Sequence, residues 1–268
     1  MSLRSAFKKV VTESVTQTFG DAQGMVTLRV LKGPARGLHL RLDLIGRQET
    51  AYWLGKYEID ILRRLQRLCR PGWTVWDCGT YLGFYTAFFA RLVGPGGVVV
   101  AFEPDPNNLD RTRANAALNR LENVRFVHAA IGPPVHEAEF VLSGNTNSHL
   151  PGCWVGATRN RYSAIEKVTE IVKVPCLSLD DAFYDPDIPR PDLVKLDIEG
   201  SESTALQFAH RLAREGAPMI LLELHNPECD AAAWDFSRAV DYTLETMEGR
   251  PLRRREEVCG TILCRPRL

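Results

Sequence analysis

No apolar run in the sequence approaches the ~20 residues that a membrane-spanning helix needs. Net charge is missing as well. The 33 Lys and Arg balance the 33 Asp and Glu, so the broad positive field on which nucleic-acid binding depends is not there. The short basic run of Arg250, Arg253, Arg254 and Arg255 is followed at once by Glu256 and Glu257, which makes it a solvated turn rather than a binding patch. Paired cysteines are absent too. The seven cysteines, at 69, 78, 153, 176, 229, 259 and 264, form no Cys-x-x-Cys pair. An odd, scattered set fits a reducing compartment better than a disulfide framework, and no other ligands gather near Cys259 and Cys264 to suggest zinc. The first 20 residues are basic and amphipathic, with no long apolar stretch and no convincing cleavage site, so a cytoplasmic location is expected. There is no internal repeat and no low-complexity linker. With 45% hydrophobic residues among 268, the chain suits one large domain, or one domain with a modest N-terminal addition.

What is present begins with a short helix or frayed terminus over residues 1–20. MVTLRVLKG and GLHLRLDL then alternate apolar and polar side chains around Gly33, Pro34 and Gly37, the pattern of a β-hairpin. Residues 51–70 put Ile59, Leu62, Leu65 and Leu68 on one helical face, and Pro71-Gly72 ends that helix. From there the period changes. VWDC, VVVAFE, VRFVHAAIG, DLVKLDIE and MILLELH are short apolar runs, with helical stretches at 82–93, 106–118 and 201–215 between most of them. Strands apolar on both faces and alternating with helices predict a parallel sheet covered on both sides. EAEFVLS and EKVTEIVKV, either side of the polar stretch SGNTNSHLPGCWVG, read as an excursion over the C-terminal edge of the sheet. YTLETMEG and EEVCGTILCRP read as a closing antiparallel hairpin.

The most informative segment is TVWDCGTYLGFYTAFFARL. A strand ends at Asp77, Gly79 and Gly83 flank a tight loop, and a helix begins near Leu82. Open α/β sheets bind ligands beyond the carboxyl ends of their strands, where this loop lies, and glycine lets backbone approach a ligand closely. Glu103 closes the second strand about 20 residues further on, the position of an acid that grips ribose hydroxyls. Pro104 then stops the strand and turns the chain across the site. Asp77 adds a charge argument. A pyrophosphate prefers bare N–H groups at a helix N-terminus, whereas a carboxylate suits a ligand with an ammonium end and a sulfonium, the charge pattern of S-adenosylmethionine. The bland alternative is that Asp77 caps a helix and Glu103 pairs with an arginine.

WDCGTYLGFYT, AFEPDPNNLDRTRANAALN, LVKLDIEGSE and ILLELH, in this order and preceded by GKYEIDIL, resemble the FkbM family of methyltransferases over residues 50–226. The resemblance implies an α/β, Rossmann-like class I methyltransferase fold: a mostly parallel seven-stranded sheet with helices on both faces. Residues 1–50 would form an N-terminal helix and β-hairpin addition, and residues 51–268 the methyltransferase domain, with an excursion over 133–175. It also implies O-methyl transfer from S-adenosylmethionine to a hydroxyl of a small molecule such as a sugar, a polyketide or another natural product. Neither nucleic acid nor membrane is an expected partner, and the oligomeric state is not predicted. Carried onto this chain, Asp77, Gly79 and Gly83 match the cofactor loop that also holds Thr80 and Tyr81, and Glu103, ahead of Pro104, matches the ribose acid. Asn108 matches a polar position near the adenosine, and Ala130 and Ile131 end the third strand where the adenine edge would lie. One departure stands out. The family commonly has Ala-Asn after the first glycine, where this chain has Thr80-Tyr81; the bulky Tyr81 either repacks against the methionine portion or narrows the site.

Methyl transfer is an in-line displacement with a neutral leaving thioether, so an enzyme chiefly aligns the reactants and excludes water. A hydroxyl acceptor also needs a base to take its proton. Lys195, Asp197 and Glu199 alternate along the fourth strand and so share one face, either pairing with one another or lining a polar pocket. Glu223 and His225 alternate in the same way on the fifth strand. A neutral His225 can accept a proton near pH 7, or it is a surface histidine at a strand end. Asp197, Glu199, Glu223 and His225 also offer oxygen and nitrogen donors to a divalent metal. With no Asp-Asp pair after the fourth strand a metal is not favoured, and Asp197, Glu223 and His225 stand as the weaker alternative set. Glu58 reaches toward substrate or cofactor, or lies on a helix surface. Substrate contacts are expected from the hairpin, from the surroundings of Trp53 and Tyr57, and from residues 143–162. There Asn145 and Trp154 combine hydrogen bonding with an aromatic face, as would also suit a plain polar loop with one packing tryptophan. The leading expectation is therefore an O-methyltransferase with His225 or Asp197 as base. Its rivals are a non-catalytic module that binds cofactor or protein, and a nicotinamide-dependent oxidoreductase, which the missing Gly-x-Gly-x-x-Gly argues against.

Overall fold

The structure, a computed structural model, describes residues 3–45, 47–143 and 168–267. A helix α1 (Leu3–Phe19) and an antiparallel hairpin, β1 (Val26–Arg29) with β2 (His39–Leu42), lead into two short helices, α2 (Arg47–Trp53) and α3 (Ile59–Leu68). The apolar runs that follow become β3 (Thr74–Cys78), β4 (Val98–Phe102) and β5 (Val124–Val127), separated by α4 (Phe84–Val93) and α5 (Pro106–Leu118). An excursion of β6 (Ala130–Ile131), β7 (Glu137–Ser143) and β8 (Val168–Leu177) comes next, then α6 (Leu179–Tyr184), β9 (Leu193–Leu196) and α7 (Glu202–Gln207). The chain continues through β10 (Met219–Leu224), α8 (Pro227–Ala239), β11 (Tyr242–Thr246) and β12 (Gly260–Pro266).

Seven strands form the main sheet in the order β11-β12-β10-β9-β3-β4-β5. The pairs β10/β9, β9/β3, β3/β4 and β4/β5 are parallel, and β12 runs antiparallel to both of its neighbours. This is the mostly parallel, seven-stranded α/β sheet that the motifs implied. The apolar character of the runs follows from burial on both faces. Along β3, Trp76 and Cys78 pack into one core with Phe102, Leu196, Phe183 and Phe236, while Val75 joins Val99, Leu221 and Phe88 in a second core across the sheet. Val26, Leu40 and Leu42 of the N-terminal hairpin belong to that second core. From β3 the chain moves outward to β4 and β5, then returns to place β9 on the other side of β3. That reversal opens a crevice at the carboxyl ends of β3 and β9, where ligands of such sheets bind.

Three local expectations are corrected. The helix expected over 51–70 is two helices, because the chain turns at Gly55, φ 62°, and Glu58, φ 44°. The stretch 201–215 also breaks. After α7, the backbone N–H of Asp180 donates to the Phe208 carbonyl and the Asp180 carboxylate accepts from the Leu212 N–H, which diverts the chain into a wide π-type turn, Leu212–Gly216. Ala130 and Ile131 do not end the third strand of the main sheet. They pair in parallel with β8 in a separate three-stranded sheet, β6-β8-β7. Asn145 and Trp154 lie outside the described residues. No helix among the described residues is long and apolar enough to cross a membrane.

At Gly55 a Cβ would lie 2.1 Å from the Lys32 carbonyl oxygen, so the α2–α3 turn closes against the hairpin only without a side chain. Gly55→Ala, with a left-handed backbone and a clash to relieve, is expected to lower the unfolding free energy by about 2–4 kcal/mol. An unchanged urea midpoint would show that the turn relaxes freely.

Candidate functional site

The loops that leave β3 and β9 meet at Gly79. Its φ is 82°, and a Cβ there would lie 1.9 Å from the Asp197 carbonyl oxygen, so this contact needs a glycine. Beside it a cleft opens at the carboxyl ends of the strands. Gly79, Tyr81, Glu103, Pro104, Asn108, Ala130, Ile131, Asp197 and Glu199 belong to its wall. The sequence had marked all nine. Phe102, Ala129, Phe140, Ile198 and Ser201 complete the lining; they lie within the quoted motifs and strands but carry no polar signature that singles them out. Ala130 and Ile131 reach the wall although their strand belongs to the small sheet.

Glu103 is buried at the end of β4. Its Oε2 accepts the backbone N–H groups of Thr80 (3.0 Å) and Tyr81 (2.9 Å), and its Oε1 accepts that of Asp105 (3.0 Å). Burial pushes its pKa up to about 7 against these donors. The carboxylate therefore fixes the shape of the loop after β3 as well as facing the cleft. Thr80 and Gly83 support this loop from behind: the Thr80 hydroxyl meets that of Thr112 at 3.0 Å, and Gly83 opens α4.

Asp77 differs from expectation. It is fully buried and absent from the cleft wall. The parallel register sets it opposite Lys195 on β9. The Thr86 hydroxyl donates to its Oδ2 at 2.6 Å, and the Lys195 ammonium lies 4.0 Å from its Oδ1. The same ammonium donates to Asp197 Oδ2 at 2.8 Å and stands 4.7 Å above the Tyr85 ring. Burial favours a neutral lysine, but Asp197, Asp77 and Glu223 outweigh it and hold the ammonium charged. Burial likewise works against the Asp197 charge, and Lys195 and His225 overcome it, leaving the carboxyl below its usual range. Lys195 is thus a structural counter-ion beneath the cleft rather than part of its wall.

His225 is corrected as a neutral base. Its Nδ1 is 3.0 Å from Glu202 Oε1, and its Nε2 is 3.6 Å from Asp197 and 3.7 Å from Glu199. Burial opposes the charged ring, yet the Glu202 hydrogen bond and the carboxylates of Glu202, Asp197 and Glu199 lift its pKa to about 10. An imidazolium at neutral pH has no lone pair to offer. Burial also raises Glu199, to about 8, so this acid exchanges its proton close to neutrality. Glu199 holds a left-handed φ of 53°, a backbone state that costs energy unless its surroundings enforce it. Glu202 supplies part of that enforcement by accepting the N–H groups of Ile198 (3.0 Å) and Gly200 (3.3 Å).

Glu58 turns inward from the start of α3 and accepts from the Tyr85 hydroxyl, and burial raises its pKa. Asp197, Glu223 and His225 each present a ligand atom within 4.8 Å of the others, so they are able to hold a divalent ion. The adjacent Asp197 charge, with burial, pushes Glu223 well above the usual carboxyl range. Lys195 and His225 already bring two positive charges to this cluster, which offsets the need for a third cation.

A family model described as "Methyltransferase FkbM domain" matches residues 77–247. The hexuronic acid methyltransferase AglP of Haloferax volcanii is 22% identical over 171 residues, covering 63% of this chain and 62% of that protein. The tRNA (adenine(58)-N(1))-methyltransferase TrmI of Thermus thermophilus is 42% identical over 57 residues, 21% of this chain and 22% of its own. The chain therefore spans less than two thirds of the length of either relative. The crystal structure of a methyltransferase FkbM from Methylobacillus flagellatus aligns with a TM-score of 0.45 at 14% identity, covering 95% of this chain and 58% of that one.

Removing the Lys195 charge would leave Asp77 and Asp197 buried without their cation. Lys195→Met is expected to reduce the unfolding free energy at pH 7 by about 3–5 kcal/mol. Because the lysine lowers the Asp197 pKa, that stabilisation exists above the unfolded carboxyl pKa and fades in acid. The deficit should therefore narrow below about pH 4. A denaturation series against pH checks this, and a deficit that stays constant into acid would refute the pairing.

Proposed function

The chain belongs to the FkbM family of methyltransferases, whose methyl donor is S-adenosylmethionine, and on that premise we propose that it methylates a hydroxyl of a small molecule, with sugars the leading class. The observation that carries this reading is one cleft at the β3/β9 reversal with a ribose-type acid, Glu103, and a near-neutral acid, Glu199, both in its wall. The family relation to a hexuronic acid methyltransferase supports a sugar as acceptor. Asn145 and Trp154 remain candidate acceptor contacts.

S-adenosylmethionine supplies an electrophilic methyl on a sulfonium that departs as a neutral thioether. Glu103 would accept the ribose hydroxyls, and Pro104, Asn108, Ala130 and Ile131 would enclose the adenosine. Gly79, Tyr81 and Asp197 would receive the amino-acid end, with the negative charge of Asp197 suited to its ammonium. Asp77 acts from behind, through Lys195 and the loop. Glu199 takes the acceptor proton, because an acid that titrates near neutrality is matched to that task. His225 keeps its own proton and stabilises the carboxylate form of Glu199. Glu58 and Tyr85 hydrogen-bond to each other, with the Lys195 ammonium over the Tyr85 ring.

In a calorimeter, in buffer containing a chelator, the protein should bind S-adenosylhomocysteine and not NAD. Radiolabelled methyl should pass to hydroxylated acceptors, hexuronic acids and neutral sugars first. Binding of NAD without S-adenosylhomocysteine would end the proposal. Glu199→Gln should lower turnover by about 10²–10⁴-fold while cofactor affinity changes little. Turnover of the natural chain should rise as pH climbs through about 8, where Glu199 loses its proton. A flat profile from about pH 6 to about pH 9 would remove Glu199 as the base.

A further inference from the structure

Tyr81 is the bulkier of the two residues, Thr80 and Tyr81, at which the loop departs from the family pattern, and its surroundings account for it. Its φ of 51° is left-handed, a conformation that a bulky side chain adopts only when held. Three groups hold its backbone or ring. The Tyr81 N–H donates to Glu103 Oε2 at 2.9 Å, the Thr112 hydroxyl donates to its carbonyl at 3.2 Å, and the Arg111 guanidinium stands 5.2 Å over the ring. The phenol end is held by a residue from outside the family-matched stretch. The Tyr81 hydroxyl donates to Glu49 Oε1 at 2.5 Å, and Arg111 donates to the same oxygen at 2.9 Å. The other Glu49 oxygen accepts the Asp43 backbone N–H. Glu49 lies on α2 and is 4% exposed, so a carboxylate has been buried at this one spot with a cation, a phenol and an amide to satisfy it. Burying a charge this completely costs free energy unless its partners are held in fixed geometry.

From this geometry we infer that Glu49 is a positioning residue for the methyl donor: it reaches in from the N-terminal segment and, through Tyr81 and Arg111, sets the wall of the cleft. The inference rests on the reading that this cleft takes S-adenosylmethionine. It makes α2 part of the donor site, although Glu49 is not itself in the cleft wall. Glu49 acts on a wall residue and not on the reacting atoms. Its loss therefore weakens donor binding more than it slows the bound complex.

The test is a double-mutant cycle on the full chain, with S-adenosylhomocysteine titrated by calorimetry and steady-state kinetics measured alongside. Glu49→Ala and Tyr81→Phe should each weaken S-adenosylhomocysteine binding, Glu49→Ala by about tenfold. For Glu49→Ala, KM for the donor should rise in step, with kcat at saturating donor within about twofold of the natural chain. The double variant should bind no more weakly than Glu49→Ala alone, because both changes cut one connection. Glu49→Gln keeps an acceptor for the phenol and should recover part of the affinity. If Glu49→Ala does not fold, Glu49→Gln with Tyr81→Phe closes the same cycle. Natural-like affinity in the Glu49 variants, or losses that add in the double variant, would overturn the inference and leave the cofactor reading standing. Failure of the natural chain to bind S-adenosylhomocysteine would remove that reading, and the inference with it.

Discussion

Lys195 sits on a central strand with Asp77 beside it and Asp197 beyond, and its ammonium is the cation around which this acidic interior is organised. Glu58, Glu199, Glu202 and Glu223 crowd the same region, and His225 is the other positive group among them. In a low-dielectric interior such a collection persists only if opposite charges are interleaved at contact distance. The parallel register supplies that interleaving by setting β3 against β9 with Asp77 and Lys195 side by side. Loop shape, acid pKa values and the cleft above all inherit from this arrangement.

Electrostatic pressure in the cluster sorts otherwise similar side chains into different states. Asp197 keeps its charge because the ammonium touches it, whereas burial without such contact lifts Glu199 and Glu103 toward neutrality. His225, between Glu202 and two further carboxylates, is driven the opposite way. One site thereby holds a permanent anion, a permanent cation and an acid close to its midpoint. That spread suits proton transfer next to a charged cofactor.

The parallel sheet and the glycine loop were legible in the sequence because they rest on short-range patterns. Apolar runs of strand length mark β3, β4, β9 and β10, and Gly79 and Glu103 stand at fixed positions relative to them. What could not be read depends on contacts between distant segments. Lys195, Asp197 and Glu199 share a strand face, as alternation requires, but only the neighbour relation of β3 and β9 reveals that Lys195 serves Asp77. Glu202 looks like any acid in the first turn of a helix, a common and mostly local arrangement, and nothing near it announces a hydrogen bond to His225. The helix over 51–70 was overread because the period of α3 masks the turn at Gly55, which exists to admit the Lys32 carbonyl.

The reversed strand β12 lies between β10 and β11, both of which precede it in the chain. Without residues 260–266, β10 would present an unpaired edge and β11 would have no neighbour in the sheet, so the buried Leu263 and Cys264 act as its keystone. A chain in which β12 were displaced would present the open apolar edge of β10 to strands of other chains.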